Sequence, residues 1–200
     1  AALQTYLPKI KESTVAGFLV GSEALYRNDL TASQLSDKIN DVRSVVADIS
    51  DSDGKSYSGK QVGTVDSWNV LVAGYNSAWQ GQTMQNASYS FFDDIMQALQ
   101  VIQSTKGSTD ITFWVGETGW PTDGTNFESS YPSVDNAKQF WKEGICSMRA
   151  WGVNVIVFEA FDEDWKPNTS GTSDVEKHWG VFTSSDNLKY SLDCDFSWTL

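Results

Sequence analysis

The sequence predicts an α/β fold built on a parallel sheet, either closed as a barrel or open and doubly wound. Three observations predict it. Segments of helical period alternate with short apolar runs along most of the 200 residues, an order that calls for parallel strands joined by helices. The runs are apolar almost without interruption, as strands covered on both faces are. Glu23, Asp66, Glu117, Glu159 and Asp162 all fall at or just after the C-terminal end of such a run. In a parallel barrel those ends form one rim, and active sites are built there.

Each element follows from local chemistry. Residues 2–12 read as the end of a helix, with Leu3, Leu7 and Ile10 on one face and Pro8 interrupting it. Val15–Val20 is a strand-like run that stops at Gly21-Ser22-Glu23. Thr31 caps a helix whose Leu35, Ile39, Val42, Val45, Val46 and Ile49 recur at helical spacing. The Ser/Asp/Gly-rich stretch Ser50–Gly59 is a loop, Gln61–Trp68 a second strand, and Val70–Tyr75 the start of another helix. An abrupt polar stretch, Asn76–Gln82, leads to a helix over Ser88–Gln103. Ile111–Glu117 is the third strand, closed by Gly119-Trp120-Pro121, and Ser133–Trp151 is a helix. Val153–Phe161 is the fourth and most apolar strand, and a polar loop over 166–174 follows. Residues 176–192 form a hairpin or irregular turn around Gly180 and Asn187. No internal repeat, linker or low-complexity stretch interrupts the order, so residues 1–200 read as a single domain.

Composition narrows the chemistry. Fourteen Lys plus Arg stand against 26 Asp plus Glu, a net charge of −12. A nucleic-acid partner needs a basic patch, and an anionic membrane surface needs polybasic segments; neither is present in this sequence. No apolar run approaches the roughly 20 residues that cross a bilayer. A single histidine, His178, and the cysteines Cys146 and Cys194 do not form a zinc-ligand pattern. There is no nucleophile elbow, dinucleotide fingerprint or phosphate loop. No metal or cofactor is expected, and acid–base work falls mainly to carboxylates. Two sequons, Asn86-Ala87-Ser88 and Asn168-Thr169-Ser170, suit a secreted chain. The two cysteines are compatible either with a disulfide in an oxidising compartment or with two buried thiols.

Two stretches carry more than pattern. Val20-Gly21-Ser22-Glu23-Ala24-Leu25-Tyr26-Arg27 follows the first strand, and Val115-Gly116-Glu117-Thr118-Gly119-Trp120-Pro121 ends the third. Both resemble the catalytic segments of glycoside hydrolase family seventeen, the β-1,3-glucanases. The likeness extends along nearly the whole chain, including Phe158-Glu159-Ala160-Phe161-Asp162-Glu163-Asp164-Trp165-Lys166. The resemblance implies a (β/α)8 TIM barrel, incomplete here, with strands four, five, seven and eight recognisable. It implies Glu23 as general acid/base and Glu117 as nucleophile of a retaining glycosidase, whose carboxyls must lie about 5–5.5 Å apart. Hydrolysis and glucanosyl transfer use the same two residues, the outcome depending on whether water or a glucan hydroxyl attacks. By the same resemblance Glu163 and Lys166 line the site. Tyr26, Trp68, Trp120 and Trp165 are candidates to stack on sugar faces, and Ser22 and Asp162 to contact the sugar, with Asp66 and Glu159 weaker candidates. The expected partner is β-1,3-glucan polysaccharide in a cell wall, met by a monomer.

The sequence departs from the family at three places. Ser22 stands where many members carry Asn before the acid, and it is shorter than the Asn that usually bonds the sugar 2-hydroxyl. A barrel of this kind needs about 250 residues, and the strands expected before residue 1 are missing. A further strand expected at the Ala78–Trp79 junction is missing too. The expectation is therefore a fragment or deletion form with open sheet edges, in which Cys146 and Cys194 have lost partners from the missing N-terminal third. Such a chain folds poorly and has little activity. The competing readings are a non-catalytic glucan-binding wall protein and an inert fragment.

Overall fold

The structure is a computed structural model that describes residues 2–71, 81–167 and 174–195. It divides into two compact units, Ala1–Ala73 and Gly74–Leu200, each of which contains one pair of parallel strands.

In the first unit, α1 (Ala2–Tyr6) gives way at once to a tight turn over Leu7–Lys9. Pro8 sits at the start of that turn and shortens the helix expected over 2–12, because its ring cannot occupy a helix interior. β1 (Gly17–Ser22) pairs in parallel with β2 (Gln61–Val65), and α2 (Ala32–Ala47) forms the crossover. Thr31 caps α2 as expected. Its hydroxyl accepts the Gln34 N–H, and the Gln34 side chain accepts the Thr31 N–H, a reciprocal box. Val46 and Ile49 pack on Leu7, Tyr57 and Val62, with Phe18 and Val20 from β1 against them. Tyr57 is fully buried and its hydroxyl reaches the carbonyls of Leu7 and Ile10, tying the N-terminal segment down. Asp51 accepts three backbone N–H bonds, from Glu12, Asp53 and Lys55, at 2.8–2.9 Å. Those bonds hold its carboxyl below the usual carboxylate range. Trp68 lies outside the strand assigned to it, opening the short α3 (Trp68–Leu71). The rest of the helix expected over Val70–Tyr75 lies outside the described residues.

In the second unit, α4 (Met84–Lys106) is longer at both ends than its apolar period indicates. It stops at Gly107, which takes a left-handed conformation (φ 65°) that costs glycine little. β3 (Trp114–Thr118) pairs in parallel with β4 (Asn154–Val157). The connection between them is helical: α5 (Val134–Phe140), a wide turn of π type (Trp141–Ile145) and α6 (Cys146–Ala150). Phe140, Trp141, Ile145 and Val181 form one cluster, while Val115, Met148 and Val153 form another. The expected strand over Val153–Phe161 is shorter than its apolar run. Beyond Val157 the chain turns to a different partner: Glu159 N–H donates to Trp179, and Val181 and Phe182 N–H donate to Glu159 and Ala160. The hairpin expected over 176–192 is present in outline, closed by the Thr183 N–H on the Asn187 carbonyl.

Two expectations are corrected here. The strands are not covered on both faces: Leu19, Trp114 and Ile156 are 52%, 37% and 41% exposed. A continuous apolar run places apolar groups on both faces because side chains alternate, but only the helix-facing set is packed. Cys146 and Cys194 have not lost their partners. They are bonded to each other, with Cα atoms 5.4 Å apart, a separation suited to a disulfide.

Candidate active site

Both motif glutamates lie at the C-terminal end of a bulged strand, each in its own unit. In β1, Leu19 pairs with Gly63 and Ser22 with Val65, so β1 advances three residues while β2 advances two. In β3, Val115 pairs with Val155 and Thr118 with Val157, again three against two. Each strand thus has a one-residue bulge at its C-terminal end. Glu117 lies within the second bulge and Glu23 directly follows the first. An extra residue bends a strand and re-aims the side chains beside it. Gly21 (φ 79°) and Glu23 (φ 54°) both sit at positive φ around the first bulge; for a glutamate this is an uncommon, strained conformation.

The turn that carries Glu23 is clamped. Glu23 N–H donates to Val65 at 2.9 Å, the last bond between the two strand ends. The Asp66 carboxylate then accepts N–H bonds from Leu25, Tyr26 and Ser67, at 2.9, 3.1 and 2.9 Å. Asp66, expected to touch the sugar, has both oxygens engaged by backbone and fixes the direction in which the Glu23 turn leaves the sheet. Arg27, which sequence reasoning did not single out, places Nη1 3.5 Å from Glu23 Oε2 and Nε 3.1 Å from Asp29. Its position four residues after Glu23 was the available signal. Ser22 and Tyr26 are exposed on this turn, and Trp68 follows Asp66 by two residues.

In the second unit, Glu117 is exposed on β3. The next segment lies tight against the end of β4: Phe158 N–H donates to Thr118 at 2.8 Å. A Cβ on Gly119 would stand 2.1 Å from the Phe158 carbonyl oxygen, which is why this position of the motif needs glycine. Trp120 donates its indole N–H to the Tyr131 carbonyl and packs on Phe140, so it is half-buried and anchored. Trp165, by contrast, is 75% exposed.

Lys166 is the centre of a charged cluster. Its Nζ lies 2.7 Å from Glu159 and 2.6 Å from Glu163, and 4.6 Å from the centre of the Phe158 ring. Burial pushes the Glu159 carboxyl up despite the ammonium beside it. The hydrogen bond from Lys166 holds the more open Glu163 down. Burial works against the Lys166 charge, but its bonds to Glu159 and Glu163 outweigh that and keep its pKa above the ordinary lysine value. Asp162 is engaged elsewhere: its Oδ1 meets Lys189 Nζ at 2.5 Å and accepts the Gly180 N–H at 3.1 Å. Lys189 was not anticipated, since nothing near it in sequence marks it. Asn86 is exposed on α4, and Asn168 lies outside the described residues.

This arrangement defines a class: bulged parallel strand ends presenting carboxylates. The sequence profile described as glycosyl hydrolases family 17 matches residues 1–78 and 76–194, and the chain belongs to that family. Its membership implies a (β/α)8 barrel-type fold, of which the described residues show two partial parallel sheets. Among its relatives, a glucan 1,3-beta-glucosidase of Saccharomyces cerevisiae is 93% identical over 98% of this chain and 68% of its own length. That alignment runs over 212 positions, more than the 200 residues present here. A crystal structure of a family 17 beta-1,3-glucanosyltransferase from Rhizomucor miehei superposes with a TM-score of 0.73 at 30% identity, over 96% of this chain and 70% of that one. An active-site mutant of the same enzyme in complex with laminaritriose also gives 0.73, at 28% identity and with the same coverage.

Proposed function

We propose that this chain carries the retaining glycosidase machinery for cell-wall β-1,3-glucan, acting by hydrolysis or glucanosyl transfer. One observation carries the reading: Glu23 and Glu117 each stand beside a one-residue bulge at the C-terminal end of a parallel strand. The names of the relatives supply the substrate class.

In this reading Glu117 attacks the anomeric carbon while Glu23 protonates the departing glycosidic oxygen. The C–O bond to the leaving sugar breaks as the bond to Glu117 forms. Glu23, now a carboxylate, then takes a proton from water or from the hydroxyl of a second glucan. That oxygen attacks the anomeric carbon and the ester to Glu117 breaks. Trp165, Tyr26, Trp68 and Trp120 offer ring faces to sugars, and Ser22 lies beside the acid. Lys166 with Glu163 orders the edge of the site, while Asp66 and Asp162 act by holding the turns. Barrel strands four and five correspond to β1 and β2, and strands seven and eight to β3 and β4. The protein is secreted to the cell wall, bears glycans on Asn86 and Asn168, and works as a monomer.

Digestion of laminari-oligosaccharides tests this. Glu117→Gln abolishes product, and Glu23→Gln slows turnover by about 10²–10⁴-fold, with folding retained by circular dichroism. Products whose anomeric configuration is inverted, seen by proton NMR at early times, would sink the retaining assignment. A second reading, glucan binding without turnover, is favoured by the family match falling into two pieces that meet at residues 76–78. Oligosaccharide binding with no new products would support it.

A further inference from the structure

Three segments of the second unit meet at one buried cation. Lys189 lies on the returning arm of the C-terminal turn, and only 7% of its side chain is exposed. Its Nζ stands 2.5 Å from Asp162 Oδ1, on the segment leaving β4, and 2.6 Å from Thr122 Oγ1, on the segment leaving β3. The Thr122 hydroxyl accepts from Lys189 and donates to the His178 carbonyl at 2.9 Å, and the Thr122 N–H donates to the same carbonyl. Asp162 accepts the Gly180 N–H in addition to pairing with Lys189. Lys189, Thr122 and Asp162 Oδ1 are each thereby engaged. A cation and a carboxylate this well covered are tolerated only because each neutralises the other, unlike the half-exposed Arg27–Glu23 pair, which contributes little.

The cluster lies close to the reacting carboxylate along the chain. The Thr118 carbonyl, one residue past Glu117, accepts the Phe158 N–H. Thr122, four residues farther on, is held by Lys189. Between them Gly119 leaves no space for a side chain against Phe158. Building on the function proposed above, we propose that Lys189 is a positioning residue for Glu117, fixing the 118–122 segment against the 158–162 segment so that Glu117 leaves β3 in one direction. The same geometry makes Asp162 a partner of Lys189 rather than of a sugar hydroxyl.

Three variants of this chain test the proposal: Lys189→Met, Lys189→Arg, and Lys189→Met combined with Asp162→Leu. Hydrogen exchange, the urea midpoint, and kcat and KM on laminari-oligosaccharides are read for each. In Lys189→Met the amides of Thr122 and Gly180 exchange at least about tenfold faster than in the parent chain. The double variant recovers the urea midpoint, because an apolar pair can replace a buried ion pair, yet keeps the fast exchange at 118–122. It also keeps a kcat lowered about tenfold with KM nearly unchanged. Lys189→Arg restores most of the protection and of kcat. If Lys189→Met alone does not fold, the double variant decides. A double variant that regains protection and kcat along with stability overturns the proposal, as does unchanged exchange in Lys189→Met. If the unaltered chain turns over no oligosaccharide, the proposed function fails, and the exchange measurements alone judge Lys189.

Discussion

Lys166 shows how a charge is kept where water is scarce. Its side chain is only 16% exposed and its ammonium is held between Glu159 and Glu163, so neither carboxylate is left unpaired in a covered site. Replacing it with methionine strands both. At neutral pH the two carboxylates then repel each other, and burial has already made the Glu159 charge costly. At lower pH Glu159 takes up a proton first and the repulsion is relieved. The sign follows. In the parent chain the pair is fully formed above the carboxylate range and is lost as pH falls, so the stability gap between parent and Lys166→Met is widest near neutrality. Urea midpoints at about pH 7 and about pH 4 should show that gap shrinking on acidification. A gap that widens on acidification would mean Lys166 does not neutralise these groups. At this scale the motif glutamates and Lys166 were legible from sequence, because their neighbours in the chain are distinctive. Asp66 and Asp162 were legible only as acids near strand ends. Their partners, Leu25, Tyr26 and Lys189, lie 27 to 41 residues away, and nothing local announces them.

Among the elements, helices were read better than strands. α2 starts one residue after the predicted cap because capping chemistry is local. β4 and the position of Trp68 were misjudged because an apolar run does not say where its partner ends. The bulges could not be read from sequence at all, since a register shift is a property of two strands. The contact between the ends of β3 and β4 gives a sharp test. Gly119→Ala places a methyl carbon 2.1 Å from the Phe158 carbonyl oxygen, whereas nothing lies within 4 Å of a Cβ built on Gly63 in β2. Gly119→Ala should therefore cost about 1–3 kcal/mol of unfolding free energy by forcing the two segments apart. Gly63→Ala should be neutral or slightly stabilising, because it reduces the freedom of the unfolded chain. Equal effects from the two substitutions would remove close approach as the reason for glycine at 119.

At the scale of the molecule, the disulfide is the principal covalent constraint. It joins residues 48 apart, from α6 to the segment beyond the C-terminal turn, entirely within the second unit. Closing a loop of that size limits the unfolded ensemble, so Cys146→Ser with Cys194→Ser should lower unfolding free energy by about 2–4 kcal/mol. Denaturant curves of the parent with and without reductant should show the same loss. A reduced parent as stable as the oxidised one would contradict this. Net charge of −12 opposes compaction and favours solubility, which makes such a staple more useful.

By itself the sequence determined the family, the two glutamates on which the proposed chemistry turns, and the cap that starts α2, because each of these is written in neighbouring residues. Tertiary structure alone decided that Cys146 bonds Cys194, that each glutamate sits at a bulge, that Asp66 clamps the Glu23 turn, and that Lys189 gathers the segment following Glu117. The physical reason is common to all four. Each depends on pairing or register between segments distant in the chain, and periodicity records which face a residue takes but not which residue it meets there.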